Sequence, residues 1–150
     1  MGSVWDIIVG TPSGGDRHGA LKPNEPARMR DFTDGTSTTI LLGEIAARPA
    51  LYQAGKLINP DAGGLCYGGG WGDALMGENW FAGSLFDGTG SKGPCIINCT
   101  NQTGRGWYGF HTGGVNVAFA DGSVRFLLQN MDMKNAVYMI TRQKGEVITE

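Results

Sequence analysis

The stretch Val115-Asn116-Val117-Ala118-Phe119-Ala120-Asp121-Gly122-Ser123-Val124-Arg125-Phe126-Leu127-Leu128 decides the fold. Asp121-Gly122 at its centre is a two-residue turn signal, because both residue types tolerate the positive φ that such a hairpin turn demands. With these two at the turn, Ala120 opposes Ser123. Phe119 then faces Val124, Val117 faces Phe126 and Val115 faces Leu128, so six apolar side chains share one face. The other face sets Ala118 against Arg125 and Asn116 against Leu127. This is the alternation of a half-buried antiparallel pair.

A helix is predicted next. Asp132 is its N-cap, and Met133, Ala136, Val137 and Ile140 recur at i, i+3, i+4 and i+7. Lys144 and Gly145 supply a cationic last turn and a terminating glycine, and Val147 to Thr149 read as a short final strand. On the other side, Asp34-Gly35 is a turn signal. The β-branched and apolar run Thr38 to Leu42 predicts a strand that ends at Glu44. Val4 to Val9 read as an edge strand, and Gly10 to Pro26 as an extended loop carrying His18.

Between these segments, residues 59 to 106 are dense in glycine and aromatics. Of the 150 residues 26 are glycine, against a usual share of about 7%. The glycines have no three-residue period and alternate with aromatic and β-branched residues. That excludes collagen and argues for ordered loops packed by aromatics. Chain length fits one domain over 1–150, of which 1–30 is partly extended. The predicted class is α+β: mainly antiparallel sheet with long glycine- and aromatic-rich loops and a C-terminal helix.

The formal net charge is -2 and no basic patch stands out, so nucleic acid is excluded as an expected partner. No apolar run is long enough to span a bilayer. The chain has three cysteines, Cys66, Cys95 and Cys99. They read as buried thiols, or as one disulfide among the three, which would place the chain in an oxidising compartment. Their spacing does not make a four-ligand zinc site.

Candidate chemistry is sparse. The two histidines, His18 and His111, exclude a three-histidine metal site. On a straight strand His111 and Asp121 stand ~30 Å apart, at ~3.3 Å per residue, and share no site. Paired carboxylates carry glycoside hydrolysis when they converge, and Glu44, Glu78 and Asp87 are the candidates. Trp71, Trp80, Phe81 and Trp107, with His111, are candidates for stacking on sugar rings or other ligand contacts. Asp34, Asp87, Asn98 and Asp121 offer oxygen ligands for calcium, although no EF-hand loop is present. No other cofactor is expected. Asn98-Cys99-Thr100 and Asn101-Gln102-Thr103 match the glycosylation acceptor pattern, a short and frequent match.

Three motifs together resemble a known family. They are Phe32-Thr33-Asp34-Gly35-Thr36-Ser37-Thr38-Thr39-Ile40-Leu41-Leu42-Gly43-Glu44, then Gly93-Pro94-Cys95-Ile96-Ile97-Asn98-Cys99-Thr100-Asn101, then Tyr108 to Leu127. In this order they are similar to the planctomycete prepilin-like proteins of unknown function. The C-terminal mark of that family is a histidine, nine residues, then Asp-Gly, here His111 and Asp121-Gly122. The resemblance covers roughly residues 30 to 150. It implies a pseudopilin-like head, export, and a surface, periplasmic or extracellular location. Such a location suits a disulfide between Cys95 and Cys99 or one involving Cys66. It implies envelope or secretion proteins, or a polysaccharide, as partners, and no established activity. The family's basic leader, cleavage site and long hydrophobic helix are absent from this sequence. The chain therefore reads as a C-terminal fragment or a member without its anchor. The leading expectation is a non-catalytic exported binding or structural module. The alternatives are a small glycosidase using two of the named carboxylates and a calcium-stabilised pseudopilin head.

Overall fold

The computed structural model describes residues 19–21, 25–70, 72–73 and 81–143. The expected strands at Val4 to Val9 and Val147 to Thr149, and His18, Trp71, Glu78, Trp80, Lys144 and Gly145, lie outside the described residues.

Among the described residues the regular structure is two antiparallel sheets, one short α-helix and a 3-10 turn at Met29–Asp31. Strand β1 (Ile40–Gly43), β4 (Gly114–Phe119) and β5 (Val124–Leu128) form a three-stranded sheet in the order β1-β4-β5. Strands β2 (Leu51–Gln53) and β3 (Lys56–Asn59) pair separately. The two central residues of the β2–β3 connection, Ala54 and Gly55, both have positive φ, 45° and 78°. That is the backbone a two-residue hairpin requires. Helix α1 (Met133–Tyr138) begins at Asp132, whose carboxylate accepts from the N–H groups of Lys134 and Asn135 at 2.9 and 3.1 Å. The predicted helix is longer than the observed one, which is capped at Met139. Ile140 still packs on the core from beyond the helix end.

The expected register between β4 and β5 is overturned. Asn116 faces Phe126, Val117 faces Arg125 and Val115 faces Leu127. The N–H of Phe119 bonds the carbonyl of Ser123 at 2.8 Å, and Gly122, with φ 85°, bonds back to Phe119. Three residues, Ala120-Asp121-Gly122, therefore lie between the last bonded pair, with a left-handed glycine in third place. Because side chains alternate with period two, the one-residue shift turns each β5 side chain to the face opposite the expected one. Val115, Val117, Phe119 and Leu127 point into the core with Ile40, Ile96, Ile97, Trp107 and Ala136. Val124, Phe126 and Leu128 face outward and are exposed, as is Leu42 on β1. Arg125, brought to the inner face, lays its guanidinium 4.2 Å over the Phe119 ring.

The middle of the chain is stitched to this frame by single bridges rather than strands: Ile45 to Tyr108, Gln53 to Thr100, Ser84 to Cys95 and Ile97 to Trp107. Close approach needs glycine at several crossings. A Cβ at Gly106 would sit 2.1 Å from the Ile96 carbonyl oxygen, and one at Gly93 2.1 Å from that of Ser84. The turn after Asp34 is tied to the one at Asp121, because Asp121 N–H bonds Thr36 O and Ala120 N–H bonds Thr39 O. The first and third sequence motifs thus meet at one end of the sheet. Among the described residues no helix is long and apolar enough to cross a membrane.

Candidate binding cleft

At the other end of the sheet the same two motifs meet the second. Glu44 follows β1, and its N–H bonds Asn116 O on β4. Its carboxylate turns toward the loop that enters β4: Oε2 accepts from Asn116 N at 3.1 Å, and Oε1 stands 3.3 Å from His111 Nε2. Gly109 makes this possible, since a Cβ there would stand 2.9 Å from Glu44 Oε2. The Asn98 side chain completes the arrangement. Its amide nitrogen donates to Gly114 O at 2.9 Å and His111 O at 3.3 Å, and its Oδ1 accepts from Gly109 N at 2.9 Å. Asn98 itself has φ 59°, a left-handed conformation that asparagine tolerates better than most side chains.

A disulfide encloses Asn98. Cys95 and Cys99 are bonded, with their Cα atoms 6.2 Å apart. Of the two readings of the cysteines, three buried thiols gives way to one disulfide; Cys66 stays free, and it is buried. Beside the disulfide lies a cleft of about 720 Å³ lined by Cys95, Ile97, Asn98 and Cys99, by Tyr108 to Gly113, and by Ala54, Gly55, Phe86, Gln129 and Asn130. Burial pushes the Tyr108 hydroxyl above its ordinary pKa.

A family model described as "Protein of unknown function (DUF1559)" matches residues 10–134. The chain belongs to this family. No curated protein and no solved structure matches it. The match to DUF1559 spans all three motifs, and in this DUF1559 chain those motifs supply Glu44, Asn98 and His111 to one place.

The other candidate residues among those described do not join this cluster. Asp87 lies in a surface turn, where its Oδ1 accepts from the N–H and the hydroxyl of Thr89 at 2.9 and 2.7 Å. Those bonds hold its carboxyl below the ordinary carboxylate value. Asp121 accepts from Ser123 N at 2.8 Å and pairs with Arg125 at 3.8 Å, at the far end of β4 from His111. The Asp34 N–H bonds Arg142 O. Among the described residues no three His, Cys, Asp or Glu side chains gather as metal ligands. Trp107 is 2% exposed, and Phe81 meets it edge-on at 4.4 Å, so both belong to the core packing.

Sequence reasoning missed a second polar knot. Asn101 is 0% exposed. Its side chain donates to the carbonyls of Ala46 and Ala50 at 3.0 and 2.7 Å and accepts from Tyr52 N at 2.8 Å. The Cys66 thiol also points at its Oδ1, 3.8 Å away. Arg48 donates to Asn101 O and Tyr67 O, and burial lowers its pKa and raises that of Cys66. An amide can satisfy two donors and two acceptors at once, so one buried Asn ties the β2–β3 unit to the rest. An Asn in a buried context leaves no mark in a single sequence beyond the acceptor pattern it happens to match.

Proposed function

We propose that this chain is an exported, pseudopilin-like head that binds a partner through the cleft at His111 and performs no catalysis. The observation that supports this most is the use made of Glu44 and Asn98. Asn98 lines the cleft and Glu44 stands next to its His111, yet both are spent on holding backbone: Glu44 on Asn116, Asn98 on Gly109, His111 and Gly114. A hydrolytic pair needs two carboxyl groups free to face one bond. Here Glu44 is engaged by His111 and Asp87 by Thr89. The Cys95–Cys99 bond favours an oxidising compartment, where the partners are envelope or secretion proteins or a surface polymer.

The test is a turnover assay on chromogenic glycosides and polysaccharides, comparing the native chain with Glu44→Gln, Glu78→Gln and Asp87→Asn. The expected result is the same background rate for all four. Turnover abolished in one or two folded variants would make the chain a glycosidase and end the binding-head reading.

A further inference from the structure

We propose that the cleft beside His111 binds neutral saccharide chains, with Phe86 and Phe110 as the platforms on which sugar rings lie. This assignment rests on the binding-head reading above and names its ligand class.

The cleft volume of about 720 Å³ falls in the ~300–1,000 Å³ range of ligand sites. Among the described residues that line it, none is Lys, Arg, Asp or Glu. An anionic ligand would meet no fixed cation. A cationic one would meet no carboxylate among the described lining residues, and the nearby Glu44 is already engaged by His111 and Asn116. The lining therefore suits an uncharged ligand.

Two rings on that wall are large, apolar and uncovered. Phe110 is 62% exposed. Its ring is nevertheless fixed, set edge-on to Tyr52 at 5.1 Å and to Tyr108 at 5.8 Å. Phe86 is 73% exposed, on a turn closed by Leu85 N–H to Thr89 O and Gly88 N–H to Leu85 O, both 2.9 Å. That turn is pressed onto the disulfide loop, since a Cβ at Gly88 would meet Cys99 O at 2.2 Å. Rings presented on rigid backbone add apolar contact area at little further entropic cost on binding. Gln129, Asn130, Thr112 and His111 line the same wall, and their side chains supply both donors and acceptors. A pyranose chain carries apolar C–H faces and a rim of hydroxyls, so it can use both sets together. An apolar peptide side chain would leave the amides unpaired, at a cost.

The experiment is a titration of the oxidised, 15N-labelled chain with soluble uncharged oligosaccharides (gluco-, manno-, xylo- and chito-series), alongside an acidic oligogalacturonide. The expected result is that at least one neutral series moves the amide signals of residue 86 and residues 109–113. Phe86→Ala and Phe110→Leu are each expected to weaken that binding by roughly tenfold or more, the loss of one anchoring contact. Leu57→Ala, at another exposed apolar residue but on β3, is expected to leave it unchanged. Silence with every neutral series, shifts confined to other surfaces, or binding of the acidic sugar alone would each overturn the assignment. A silent titration without glycoside turnover removes the saccharide alone, whereas turnover removes the binding-head reading itself.

Discussion

Glu44 Oε1 stands 3.3 Å from His111 Nε2 while Glu44 Oε2 accepts from the backbone of Asn116. One carboxylate therefore joins the end of β1 both to β4 and to the loop before it. The two bonds differ in weight. The His111 contact is half open to water, where such pairs contribute less than about 1 kcal/mol. The Asn116 N–H is part-buried, and leaving it unpaired costs about 1–2 kcal/mol. Glu44→Ala is expected to lower stability in urea more than His111→Ala does. The reverse order would show that the imidazole, not the strand bond, is what the carboxylate serves.

The disulfide closes a five-residue loop, Cys95 to Cys99. Constraint of the unfolded chain by so short a loop is worth about 2 kcal/mol. Cys95→Ser with Cys99→Ser is expected to lower stability by about that much, and to speed amide exchange at Gly109, whose N–H is held by Asn98. Unchanged exchange at Gly109 would mean that Asn98 keeps its place without the bond.

Glycines here divide into two kinds. Gly106 faces the Ile96 carbonyl so closely that Gly106→Ala forces backbone apart, an overpacking cost of about 1–3 kcal/mol. Gly70 has open space around its added Cβ, and Gly70→Ala is expected to be neutral or to stabilise by up to about 1 kcal/mol, through the unfolded chain. Thermal melts of the two variants side by side check this; equal shifts would contradict the close approach at Gly106.

Asn101 sits in an acceptor pattern for glycosylation, yet it is fully buried and its amide is bonded on both sides. Expression in a glycosylating host is expected to leave Asn101 unmodified by mass. Asn101→Ala strands a buried backbone N–H and carbonyls, each worth about 1–3 kcal/mol, and is expected to be the most damaging single polar substitution in the β2–β3 region. A mild effect in urea would show that water replaces the amide.

Thr89 holds the Asp87 carboxyl below its ordinary value of 3.8. A carboxyl lowered on folding contributes stability that is present above the unfolded value and is lost as pH falls through the folded one. The Asp87→Asn chain is expected to lose less stability on acidification below pH 3.8 than the native chain. Urea midpoints measured across that range check it. Identical slopes would show that the turn contributes nothing on the acid side.

The antiparallel sheet, the Asp132 cap and the buried helix face Ala136-Val137 were legible because period and cap chemistry are local. The β4–β5 register was not. Asp-Gly supports either a two-residue turn or a three-residue loop ending in a left-handed glycine, and the alternating apolar residues Val124, Phe126 and Leu128 favour the two-residue register that the chain does not adopt. The β2–β3 pair was missed because Ala54 takes a positive φ that alanine seldom adopts. At the cleft, Glu44 and His111 were each singled out, but their meeting depends on a contact between residues far apart in sequence. Asn98 was read as an oxygen ligand, and its role as a backbone clamp follows only from the loop around it. Nothing in the sequence sets Phe86 and Phe110 apart from the other aromatics, since exposure is a property of the packed chain.

The β1–β4 pairing has a consequence for the order of assembly. Gly43 lies opposite Val117 in the ladder, so roughly seventy residues of chain must be looped before the central sheet has its middle strand, and contacts of such long range slow folding. During synthesis β1 waits without its sheet partner until β4 has been made. The sheet is then completed late, by β4 and β5 together, after the glycine-rich middle has already been laid out.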